Sequence, residues 1–245
     1  MKKKKLAVIA VIVCLVSIIS VGSLAWFSDS KTITNKFKFA SSGDPSNPDA
    51  DFAITLYEYQ DDKVTITTEG RTYADVAPGA VLYKCPSIKN TGKYDEYVKV
   101  SITVSDYEVW KELYDATTAE DVSAALRDAD TGMFRDINAK LAYDSCEAAD
   151  GKLTMVFYYD GILKPFVNDQ QTPAVVIFSD ACIPAALTQT DVEKFAQIDD
   201  TLGFSIEVAA DAVQSDNILA DSEIGTATNL ATAAFAKTAF AKISN

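Results

Sequence analysis

Carboxylates and a few cysteines are the residues in this 245-residue chain best suited to chemistry, and neither set is spaced as a catalytic centre. Asp44, Asn47, Asp49 and Asp51 stand together in "SSGDPSNPDAD" and could jointly offer oxygens to calcium. Their spacing is not that of an EF-hand loop. Pro45 and Pro48 give the segment the composition of a turn-rich linker, which is the stronger reading. Cys85, Cys146 and Cys182 lie far apart with no C-x-x-C pair, so they carry no zinc signature. They allow at most one intramolecular disulfide, in any of three pairings, or they serve as small buried hydrophobes. Histidine is absent altogether. That removes H-E-x-x-H zinc chemistry, Ser-His-Asp and Cys-His hydrolysis, and the commonest acid–base group at neutral pH. Carboxylates are plentiful enough for glycoside hydrolysis, but none cluster. An enzyme is not expected.

The segments that must position any site begin with an export signal. Lys2 to Lys5 form a positive n-region, Leu6 to Ile19 is almost wholly apolar, and Ser23 and Ala25 fit a small-x-small cleavage pattern. Cleavage is expected after Ala25, so that the mature chain begins at Trp26. The apolar run is short for a bilayer span, and Cys14 within it follows Val13, which is not a lipoprotein pattern. Losing residues 1–25 removes four lysines and no acid, which moves the formal charge from −13 to −17. Nucleic acid and anionic membranes are then poor partners. Secretion to the cell surface or extracellular matrix is the expected fate.

Period-two alternation dominates the mature chain and predicts an antiparallel β-sandwich, mainly β overall. "DEYVKVSITV" places Val98, Val100, Ile102 and Val104 on an inner face, with Tyr97, Lys99, Ser101 and Thr103 outside. "DFAITLYEY" offers Phe52, Ile54 and Leu56, "KVTITT" offers Val64 and Ile66, and "FSIEVAA" offers Phe204, Ile206 and Val208. "KLTMVFYY" ends at Asp160-Gly161, a hairpin signal that makes "PAVVIFS" its expected partner. Short helices are expected within about 105–140 and 190–198. Capping boxes would start them at Ser105/Glu108, Thr117/Glu120 and Thr190/Glu193. Trp110 is expected to anchor the first of these in the core. The Ala-rich "NLATAAFAKTAFAK" predicts a C-terminal helix.

Just past the cleavage point, "ITNKFKF" alternates Ile33, Asn35, Phe37 and Phe39 against Thr34, Lys36 and Lys38. Three stretches stand out together. The first is "SLAWFSDSKTITNKFKFA", with its aromatic pair, Asp and Asn-x-Phe strand. The second is "VAPGAVLYKCPSIKNTGKYDEYVKVSITV", with Pro78-Gly79 and Asn90-Thr91-Gly92. The third is "FSIEVAADAVQSDN", with Ala212-Val213-Gln214. In this order they resemble the TasA/camelysin family, exported proteins of Gram-positive bacteria cut by a SipW-type signal peptidase. The resemblance implies a jelly-roll-like sandwich and a fibre-forming or matrix-associated role in biofilms and at cell surfaces. A branch of that family has been described as a metalloprotease. Without histidine, that activity does not carry over.

Residues 26–50 therefore read as a strand plus linker, and 51–245 as the sandwich with its helical insertions and tail. The strand would either join its own sheet or cross to another copy as a donor strand, with Ile33, Asn35, Phe37 and Phe39 entering the acceptor. Lys31, Lys36 and Lys38 would steer it towards an acidic partner surface. Repeated head to tail, the contact gives a homopolymer, with or without an accessory matrix protein. The competing expectation is a monomeric surface adhesin that presents Tyr57, Tyr59, Tyr158 and Tyr159 to a ligand.

Overall fold

The structure, a computed structural model, describes residues 28–35, 53–60, 63–73, 76–166, 174–198, 201–216, 218–219, 221–224 and 229–243. Its strands are β1 (Ser28–Asn35), β2 (Ile54–Tyr59), β3 (Ile66–Thr67), β4 (Val81–Tyr83), β5 (Cys85–Asn90), β6 (Glu96–Ser105), β7 (Leu141–Ala149), β8 (Lys152–Tyr159), β9 (Val175–Val176), β10 (Asp180–Cys182), β11 (Gln197–Ile198), β12 (Thr201–Leu202) and β13 (Ile206–Gln214). Helices are α1 (Tyr107–Leu113), α2 (Ala119–Leu126), α3 (Gln189–Val192), α4 (Asp221–Ile224) and α5 (Ala233–Ile243). The protein is mainly β and antiparallel, with short inserted helices and a C-terminal helix.

Alternation sets the larger sheet, ordered β1-β13-β6-β8-β7. Val98, Val100, Ile102 and Val104 of β6 are buried as expected, and β13 buries Ile206, Val208, Ala210 and Ala212 beside them. The smaller sheet, β3-β2-β5-β9, supplies Ile54, Leu56 and Ile88 to the same apolar core. Each such side chain contributes about 1.5–3 kcal/mol when fully removed from water. Val64 and Ile66 do not follow this pattern. They are 78% and 55% exposed: Ile66 lies on the two-residue β3 at the edge of the smaller sheet, and Val64 lies in the turn before it.

Tyr97 is the one outward position of β6 that is fully buried. Helix α5 covers the outer face of the sheet there, with Ala236, Ala239 and Phe240 packed against Tyr97 and Val213. The Tyr97 hydroxyl donates to the carbonyl of Leu230 at 2.9 Å.

The strand after α2 was not expected. β7 ("LAYDSCEAA") lacks apolar alternation because it buries only Leu141, yet it pairs with β8 along its length. The tight turn is Asp150-Gly151, where φ is 51° and 73°. Two successive left-handed residues are what a two-residue hairpin needs. Asp160-Gly161 therefore does not close the expected hairpin, and β9, from "PAVVIFS", pairs with β5 instead. Gly161 is fixed by packing: a Cβ there would lie 2.6 Å from the Tyr159 ring.

Helices fall within 105–140 and close to 190–198, though none runs beyond Leu126 in the first region, and their caps differ from expectation. Asp106, at φ 60°, precedes α1 and makes no side-chain cap. Its carboxylate instead accepts from the Ser105 hydroxyl and from the Ala196 amide, tying two loops together. The boxes that do form are Thr118/Asp121 and Thr188/Asp191. The shorter aspartate reaches back to the amide three residues earlier, which moves each start by one or two residues. Trp110 is the expected anchor. It is fully buried, edge-on to Phe204 at 4.8 Å, and its indole N–H donates to the Ser105 carbonyl at 2.7 Å.

Trp110→Ala is expected to cost about 3–5 kcal/mol in denaturant unfolding. Asp121 is held down to about 2 by hydrogen bonds from Thr117 and Thr118. Because its folded value lies below the ordinary carboxylate value, its contribution is complete above that value and disappears as pH falls through about 2. Asp121→Asn should flatten the acid limb of the stability curve over that window.

Candidate functional site

The edge formed by β1 on β13 is where the sequence places an exchangeable strand. β13 is built for two neighbours. Its even-numbered residues from Ile206 to Ala212 are buried, and Ala209, Ala210 and Ala212 are small enough to leave room beside an incoming strand. On one side it pairs with β6 over nine positions, from Ile206↔Val104 to Gln214↔Glu96. On the other it pairs with β1 over eight, from Ser28↔Val213 to Asn35↔Ile206. In this single chain β1 therefore lies in its own sheet.

Only part of the alternating stretch falls within the described residues. Ile33 and Asn35 lie on β1, opposite Val208 and Ile206, and Lys31 lies opposite Ala210. Phe37, Phe39, Lys36 and Lys38 fall outside the described residues, as do Ser23, Ala25 and Trp26 at the cleavage point and Asp44, Asn47, Asp49 and Asp51. Asp211, the carboxylate nearest Lys31 in the register, is already bonded to Lys99 on β6 at 2.7 Å.

The other sheet edges are poor sites for strand addition. β7 carries a bulge between Tyr143 and Ser145, and Asp144 there is paired with Lys237 of α5. Bulges and charges of this kind blunt an edge. β3 and β9 are two residues each, too short to template a ladder.

Cys85 and Cys182 are buried free thiols and Cys146 is a half-buried one, so no pairing forms. Burial raises the Cys182 and Cys146 thiols above the ordinary value. Cys146 donates to a Glu120 carboxylate oxygen at 3.5 Å. The four tyrosines do not share a surface. Tyr57 is buried against Tyr59 at 5.6 Å between ring centres, and Tyr158 packs on Phe240 under α5. Among the described residues, no three Cys, Asp or Glu side chains gather as a metal site, and no helix is long and apolar enough to cross a membrane.

Comparison with family models, curated proteins and solved structures finds no match to this chain.

The register gives a direct check. Thr32→Cys with Ala209→Cys places two thiols opposite each other and should form a disulfide on mild oxidation. Thr32→Cys with Asp211→Cys, two residues out of register, should not. Peptide mapping distinguishes the two outcomes.

Proposed function

We propose that this chain is a secreted structural protein of the cell surface or biofilm matrix that assembles into fibres by exchanging β1 between copies, and that it is not an enzyme. The observation that carries this reading is the state of β1. It is an edge strand held by a single eight-pair ladder, and eighteen residues separate it from β2. A segment of that length can span up to roughly 60 Å when extended. A folded body of this size has a radius of gyration of roughly 17 Å, so the strand can reach a neighbour's β13. In the larger sheet the first strand lies beside the last, the kind of closure that a jelly-roll-like sandwich uses. The resemblance of the N-terminal, central and late motifs to the TasA/camelysin family points the same way.

In this account a SipW-type signal peptidase releases the strand, and the partners are further copies of the chain, with room for an accessory matrix protein. Before cleavage the strand is tethered next to the leader, which limits early assembly. A heterologous contact of this kind does not close on itself and grows as a filament. The formal charge of −13 argues against nucleic acid as a partner. A second reading, a monomeric surface-binding module, is favoured by the pairing of β1 within its own chain.

Electron microscopy of the purified chain beginning at Trp26 should show filaments at high concentration, and the chain lacking residues 26–40 should show none. An excess of a peptide covering residues 26–40 should cap growth of the intact protein. Dispersed particles at every concentration would favour the monomeric module.

A further inference from the structure

Lys84 and Glu58 form a pair that the strand exchange does not use. Lys84 joins β4 to β5, and Glu58 is the penultimate residue of β2. The two side chains are 1% and 0% exposed, and Lys84 Nζ stands 2.6 Å from Glu58 Oε1. Their backbones are fixed. Glu58 lies opposite Pro86 on one side and Thr67 on the other, and the Lys84 amide donates to the Ser179 carbonyl at 3.1 Å.

A third group braces the pair. Arg71 Nη1 donates to the carbonyls of Tyr59 and Tyr83, at 3.5 and 3.4 Å, the residues next to Glu58 and Lys84 respectively. Its guanidinium thus bridges the two backbones that carry the pair. Burial lowers the Lys84 amine below its ordinary value, Glu58 acts against that shift, and the Arg71 charge adds to it. An ion pair without water returns little net stability, because each charge has lost its hydration. A proton passed from Nζ to Oε1 across the 2.6 Å contact would leave a nucleophilic amine held against an electrophilic carboxyl carbon.

We infer that Lys84 and Glu58 condense to an intramolecular isopeptide bond. The Nζ lone pair adds to Glu58 Cδ, a proton moves from Nζ to the carboxyl hydroxyl, and the C–O bond breaks. One water leaves and one amide C–N bond forms, with no change of oxidation state and no further reactant. Enforced contact replaces the encounter that this reaction lacks in water. Exclusion of water from the site disfavours the reverse hydrolysis. The bond ties β2, the first strand after the linker, to the segment between β4 and β5. It stands whether or not β1 is exchanged.

The test is mass spectrometry of the full chain, denatured and digested with trypsin. A branched peptide containing Glu58 and Lys84, one water lighter than its two components, with no cleavage after Lys84, is the expected result. Linear peptides with ordinary cleavage after Lys84 would overturn the inference, and this readout needs no variant to fold. Lys84→Arg keeps the charge but cannot make the same bond, so its digest should contain only linear peptides across this region. A branched peptide at Glu58 in that variant would also overturn the assignment.

Discussion

Strand β13 has to satisfy two hydrogen-bonded ladders at once, and much of the molecule is arranged around that demand. Its β6 side is covered by a strand from the middle of the chain, held by core residues on its inner face and by Tyr97 under α5 on the other. Its other side is covered only by β1, which arrives from the far end of the sequence. Removing β1 would leave a row of backbone donors and acceptors, next to buried Val208 and Ala210, open to water. An unpaired edge of that length is unfavourable in solution and invites another strand. Whatever fills it, β13 requires a partner.

Exchange between copies alters few contacts, and this sets the energetics. In the proposed exchange the β1–β13 ladder seen within the chain would form again between chains, so its hydrogen bonds, about 0.5–1.5 kcal/mol each, would cancel from the comparison. What differs is the effective concentration of the strand. A short tether gives an effective concentration of roughly millimolar for such an intramolecular contact. The proposed fibres would then be favoured where copies are crowded. Among the described residues of the two larger sheets, the other edges are less suited to strand addition, because β7 is bulged and charged and β3 and β9 are short.

Local patterning carried the sequence reading where burial is one-sided and failed where a distant element intervenes. β6 and β13 alternate because one face of each meets the core, so Val100 and Val208 could be placed from sequence. Tyr97 could not, since the helix that buries it lies more than a hundred residues later. β7 has almost no apolar face to reveal it, and Asp160-Gly161 offers the same turn dipeptide as the true hairpin at Asp150-Gly151. The cap positions moved because aspartate, not glutamate, closes each box. At the site, Ile33 and Asn35 were legible as part of a strand. Its register against β13 was not, because pairing across most of the chain leaves no periodic trace. The Lys84–Glu58 contact was equally silent. Nothing in "LYKCP" or "YEYQ" marks those residues as buried until the strands are brought together.

The most direct measurement is disulfide trapping between differently labelled chains. One chain carries Thr32→Cys and the other Ala209→Cys, both with Cys146→Ser, and they are mixed, allowed to assemble and oxidised. Strand exchange predicts a disulfide joining the two different chains, with its yield rising as filaments form. Filaments or monomers in which no such link appears, while the doubly substituted single chain closes readily on itself, would show that β1 never leaves its own sheet.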